Sequence, residues 1–97
     1  MSYQIIWSPQ ANQTYLLILE YLQKNWTERE INNFIERTEE VLFFISQNPL
    51  LYRYSKQNDS YKCVVTEQTS LIYQIKQDKV ELLSFWDNRQ DPKKLNL

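Results

Sequence analysis

The chain has 97 residues, of which 42% are hydrophobic and 14% aromatic, so it is expected to form one packed domain over residues 1–97. It has a net charge of −1 and no histidine, which excludes histidine-based catalytic triads and, with only one cysteine, ordinary zinc sites. Glycine is absent as well, so a glycine-rich phosphate-binding loop is excluded. We expect no cofactor and no metal.

Cysteine usage and hydropathy bear on the compartment. Cys63 is the only cysteine, so no internal disulfide can form, which is typical of a reducing cytosol. No apolar run approaches the ~20 residues that a membrane span requires. The sequence therefore predicts a cytoplasmic protein with no membrane partner.

Two amphipathic helices are predicted in the first half of the chain. Ser8 can cap free backbone N–H groups and Pro9 suits the first helical position, so a helix begins here and ends near Asn25. Thr27 and Glu30 then form a capping box that begins a longer helix, which a proline at position 49 closes. Because only a few residues join them, the two helices should form an antiparallel hairpin.

Four strands are predicted from apolar, β-prone runs. They lie at residues 3–7, 61–66, 70–76 and 79–86. Residues 50–59 show no clear period and are interpreted as a loop, and residues 77–78 as a two-residue hairpin turn. The order β-α-α-β-β-β predicts an α+β domain with the helical hairpin packed on a mainly antiparallel, four-stranded sheet.

Basic side chains are concentrated in the second half of the chain. Residues 1–50 hold three basic and six acidic side chains, whereas residues 51–97 hold eight basic and six acidic ones. This excess is too small to establish nucleic-acid binding. Arg89 follows the last predicted strand, where it could bind an anion or pair with Asp87 or Asp91 at the surface. The residues alone favour the surface pair.

Several short motifs, in this order, resemble a known family. They are WSPQA at residues 7–11, LIYQI at residues 71–75, VELL at residues 80–83 and DNRQDP at residues 87–92. Their combination resembles the RelE/ParE superfamily of bacterial toxins, over almost the whole chain. These toxins belong to type II toxin–antitoxin modules and are often labelled plasmid stabilisation proteins.

The resemblance implies a growth-arresting toxin that is neutralised by a cognate antitoxin. It could assemble as a homodimer or as a hetero-oligomer with that antitoxin. RelE-like members cut messenger RNA on the ribosome, and ParE-like members poison DNA gyrase, so both targets stay open. If the chain is an enzyme, the resemblance implies a ribosome-dependent endoribonuclease, an mRNA interferase. The alternative is a non-toxic binding module that retains the fold.

The resemblance also implies a set of functional residues. Arg89 matches the arginine that many RelE-like nucleases use on the scissile phosphate, which overturns the surface-pair interpretation, and Lys62 is a second catalytic candidate. Candidates for binding nucleic acid or another target are Arg53, Lys56, Tyr61, Lys93 and Lys94. The strand around Lys62 is otherwise apolar, and the C-terminal tyrosine of the nucleases is missing. These departures slightly favour a target other than RNA.

Overall fold

The computed structural model describes residues 2–88, in which two helices pack on one face of a five-stranded sheet. The elements are β1 (Gln4–Trp7), α1 (Pro9–Asn25), α2 (Glu28–Gln47), a 3-10 helix (Pro49–Leu51), β2 (Arg53–Ser55), β3 (Ser60–Thr66), β4 (Thr69–Lys76) and β5 (Lys79–Asp87). The predicted α+β class and helical hairpin are confirmed. Across residues 2–88, neither helix has the length and apolar character to cross a membrane.

The strands are ordered β1-β5-β4-β3-β2, and only the β1–β5 pair among them is parallel. The prediction of four strands was one short, because β2 lies in the segment interpreted as a loop. This strand has three residues, too few to show an alternating pattern, and it forms by pairing with the start of β3. The predicted turn at residues 77–78 is present, with Gln77 at a φ of 60°.

Both predicted helix starts are present. The Ser8 hydroxyl accepts a hydrogen bond from the backbone N–H of Ala11 (3.0 Å), and Pro9 is the first residue of α1. At the start of α2, the backbone N–H of Thr27 donates to the Glu30 carboxylate (3.1 Å). These local contacts satisfy N–H groups that a helix cannot bond internally. Only two residues separate the helices, which is why the hairpin is tight.

A β-bulge in β5 changes which side chains enter the core. Tyr73 pairs with Leu82, but the preceding residue of β4 pairs with Ser84, so Leu83 is the extra residue. Two hydroxyls of the α1 region hold this irregular backbone. Ser8 donates to the Leu83 carbonyl (3.2 Å), and Thr14 accepts from the backbone N–H of residue 85 (2.9 Å). Beyond the bulge, the faces of β5 are exchanged.

The core lies between the helices and one face of the sheet. Its fully buried members come from both layers, and they are Ala11, Phe34, Val41, Ile45, Cys63, Val65, Leu71, Tyr73, Val80, Leu82 and Phe85. The Tyr73 hydroxyl donates to the Pro49 carbonyl (2.7 Å), which satisfies a buried polar group and ties the 3-10 helix to β4. The opposite face of the sheet carries no helix among residues 2–88, and we call it the open face.

Candidate functional site

The open face carries two cations directly opposite each other. Arg53 of β2 pairs with Lys62 of β3 in the antiparallel register, and both side chains are exposed. Within residues 2–88, neither is ion-paired with a carboxylate. Like charges directly opposite each other on a sheet repel and are destabilising. An anion bound between them would remove that repulsion.

The two cations border a shallow cleft of about 350 Å³. Its lining residues are Arg53, Tyr54, Ser55, Asn58, Ser60, Lys62 and Ile72. Ile72 is only 4% exposed and lies in register with Lys62, so the cleft has an apolar floor at this point. Hydroxyls, an amide and two cations around an apolar floor are donors suited to a phosphate group.

Sequence reasoning missed this cation pair because it missed β2. Residues 53–55 read Arg-Tyr-Ser and residues 60–62 read Ser-Tyr-Lys, so the two segments mirror each other about a four-residue turn. That mirror order is the signal that could have revealed the hairpin. Antiparallel pairing about such a turn places the two ends, Arg53 and Lys62, opposite each other.

The structure does not bring Tyr61 into the cleft. Its ring lies on the helix side of the sheet, stacked on Tyr73 with ring centroids 5.3 Å apart, and it contacts Tyr54 at 4.8 Å. Lys56 lies in the exposed β2–β3 turn and does not line the cleft. Arg89, Lys93 and Lys94 lie outside the described residues.

Asn88 directly follows the last residue of β5 and is held by hydrogen bonds. Its backbone N–H donates to the Gln68 carbonyl (2.6 Å), and its side-chain oxygen accepts from the Ser70 hydroxyl (3.1 Å). Ser70 pairs with Val64, an open-face residue of β3 that is 57% exposed. The hydrogen bonds of Asn88 tie the end of β5 to the start of β4.

Acid–base groups are scarce on the described part of the open face. Glu81 is the carboxylate that β5 places there, and its Oε1 lies 3.2 Å from Nζ of Lys76, in an ion pair. Among residues 2–88, no group of three or more Cys, Asp or Glu side chains could hold a metal ion. The arrangement offers cations and hydroxyls as hydrogen-bond donors to an anion.

Cys63 is a core residue rather than a reactive group. It is 2% exposed, and burial raises the pKa of its thiol to about 11, an effect that the nearby Tyr52 hydroxyl partly opposes. A protonated, buried thiol is a poor nucleophile.

We expect a thiol reagent at pH 8 to modify Cys63 slowly in the native protein and rapidly in 6 M urea. The raised pKa also lowers the free energy of unfolding as the pH rises from about 9 to 11, because the unfolded chain loses the thiol proton first. Urea midpoints at pH 8 and pH 10.5, compared with those of Cys63→Ala, measure this contribution. Rapid modification without urea would show that the thiol is accessible in the native state.

Residues 5–92 match the model of the family described as the ParE toxin of the type II toxin–antitoxin system parDE. The chain belongs to the ParE toxin family. It is therefore a toxin of a type II toxin–antitoxin module, with an antitoxin partner, as the sequence motifs predicted. No curated protein matches the sequence.

Solved structures share the fold at low sequence identity. The YoeB dimer from Staphylococcus aureus is 19% identical, with a TM-score of 0.60, covering 89% of this chain and 97% of that one. The YoeB–YefM complex from the same organism gives 20% identity and a TM-score of 0.61, with coverage of 89% and 97%. A YoeB/ParE toxin from Agrobacterium tumefaciens is 11% identical, with a TM-score of 0.63, covering 87% of this chain and 96% of that one.

Proposed function

We propose that this ParE-family toxin arrests growth in the cytoplasm by acting on translation, with messenger RNA bound along the open face of its sheet. The observation that carries the proposal is the pair of exposed cations, Arg53 and Lys62, opposite each other with no carboxylate partner in the described part of the chain. Two repelling cations cost stability in the free protein, and a phosphate backbone would bind to both.

The cleft supports the same proposal. The lining hydroxyls of Ser55 and Ser60 can donate to phosphate oxygens beside the two cations. Because these contacts do not depend on base identity, they would hold many messages alike. The whole chain has a net charge of −1 and so offers little general attraction to RNA. This suits a toxin that engages RNA already held by the ribosome, since the ribosome then supplies most of the binding energy.

Gyrase is the second candidate target. The match to the ParE model favours it, because ParE-like members of the superfamily poison DNA gyrase. The low density of acid–base groups on the described open face also suits a toxin that binds without cutting. A toxin that acts on translation should stop protein synthesis first, and a toxin that acts on gyrase should change DNA supercoiling first. One induction experiment therefore separates the two targets.

The experiment is tightly controlled induction of three chains in bacteria. They are the wild type, Arg53→Gln/Lys62→Gln, and Lys24→Gln/Arg29→Gln as a control with the same charge change in the helical layer. Loss of two charge-assisted contacts, at about 1.5–3 kcal/mol each, reduces the affinity for the target by a hundredfold or more. We expect the wild type and the control to stop growth and the cleft variant to grow.

Amino-acid incorporation, cleavage of ribosome-bound messages and plasmid supercoiling are followed after induction. A fall in protein synthesis that precedes any change in supercoiling is the expected result. Loss of supercoiling first, with protein synthesis intact, would assign the toxin to gyrase instead. Growth of the wild type at the uninduced rate would favour the non-toxic binding module.

A further inference from the structure

Trp86 reaches the open face only because of the bulge in β5. Side chains alternate along a regular strand, so without the extra residue Trp86 would share the core face of Val80 and Leu82. The bulge at Leu83 exchanges the faces, so that Phe85 enters the core at 3% exposure and Trp86 points to the other side. Bulges of this kind often re-aim a side chain beside a functional site.

The neighbours of Trp86 connect it to the cation pair. Trp86 lies in register with Ser70 of β4, which in turn lies in register with Val64 of β3. Lys62 lies two residues before Val64, on the same face of β3. Two strand spacings and one two-residue step separate the α-carbons of Trp86 and Lys62 by roughly 12 Å. A nucleotide together with an extended lysine side chain spans such a distance.

The other two tryptophans are placed differently. Trp7 packs in the core, with its ring 5.4 Å from that of Phe85 and 5.3 Å from that of Tyr15. Trp26 is 47% exposed, but it caps the end of α1 in the helical layer. Trp86 is partly exposed, and no aromatic pair among residues 2–88 includes it. Trp86 is therefore partly accessible on the open face.

We propose that Trp86 is a stacking platform for a nucleobase of the single RNA strand whose phosphates Arg53 and Lys62 bind. The proposal rests on the proposed function and adds to it a contact with the base. Proteins that hold single strands commonly combine a cationic track with aromatic rings on which bases stack. Because every base has a π-face, Trp86 would add affinity for a single strand with little preference for its sequence.

The test uses the purified full chain and two single-stranded RNA oligonucleotides of equal length. One carries bases at every position, and the other has abasic riboses throughout, so that it offers phosphates alone. Binding is measured at low salt, where phosphate contacts are strongest. The variants are Trp86→Leu, Trp86→Phe, which keeps an aromatic ring, and Trp26→Leu, a matched control in the helical layer.

We expect the wild type to bind the base-bearing strand about tenfold more tightly than the abasic strand, and its tryptophan fluorescence to be quenched. Trp86→Leu should lose that preference and keep its affinity for the abasic strand, which also shows that it is folded. Trp86→Phe should retain part of the preference, and Trp26→Leu all of it.

Three outcomes overturn the proposal. Equal binding of both strands by the wild type would remove base stacking while leaving the phosphate site in place. A base preference that survives in Trp86→Leu would put the base elsewhere on the protein. Binding of neither strand by the wild type would overturn the stacking site on the free protein, and the induction experiment then decides the proposed function separately.

Discussion

Replacing Phe85 with alanine is expected to lower the free energy of unfolding by about 3–5 kcal/mol. The side chain is 3% exposed, and its ring lies 5.4 Å from that of Trp7 and 5.1 Å from that of Tyr15. Its removal leaves a cavity where β1, α1 and β5 meet, and the loss is a large part of the roughly 5–15 kcal/mol that stabilises a typical domain. Urea unfolding followed by circular dichroism measures the change.

A matched control is available in α2. Phe44 is 48% exposed, so Phe44→Ala deletes the same atoms from the surface and should change the free energy of unfolding by no more than about 0.5 kcal/mol. If Phe85→Ala does not fold, Phe85→Leu tests the same site with a smaller cavity. Equal destabilisation by Phe85→Ala and Phe44→Ala would mean that Phe85 is not part of the core.

The same residue shows where sequence patterns stop being informative. Strict alternation in β5 groups Val80, Leu82 and Trp86 on one face. No local sequence pattern indicates that Leu83 is an extra residue in this strand. The bulge depends on hydroxyls of Ser8 and Thr14, which are more than 70 positions away in the chain. The existence and extent of β5 follow from its apolar composition, but the exchange of its two faces does not.

The helix starts were predictable for the opposite reason. The hydrogen bonds of Ser8 to Ala11 and of Thr27 to Glu30 span three residues each, so the sequence contains both partners of each contact. The short strand β2 has no such local signal apart from its mirror relation to β3. Because this strand was not predicted, the juxtaposition of Arg53 with Lys62 was not predicted either.

The order of the sheet was also outside the reach of local patterns. The parallel pairing of β1 with β5 joins Gln4–Trp7 to residues 79–82, near opposite ends of the chain. It places the start of α1 against the bulge in β5, and so couples the helical layer to the strand that carries Trp86. The order of the predicted elements indicated a mainly antiparallel sheet, but it did not show which pair of strands would be parallel.

Arg89→Ala is expected to abolish growth arrest, with a loss of activity on the order of 10²–10³-fold if the arginine stabilises charge on a reacting phosphate. The guanidinium of arginine can donate two parallel hydrogen bonds to phosphate oxygens, which no other side chain does as well. Residue 89 follows Asn88 directly, and Asn88 is held by Ser70 at the end of the open face.

The control variants lie in the same segment and at the same position. Lys93→Ala and Lys94→Ala remove cations a few residues further on and should weaken arrest only slightly, as expected for contacts that add general attraction to phosphate. Arg89→Lys keeps the charge but loses the two-pronged geometry, so its growth arrest should be intermediate. Arrest by Arg89→Ala at the wild-type rate, with the protein present at the wild-type level, would remove Arg89 from the site and leave Arg53 and Lys62 as its cations.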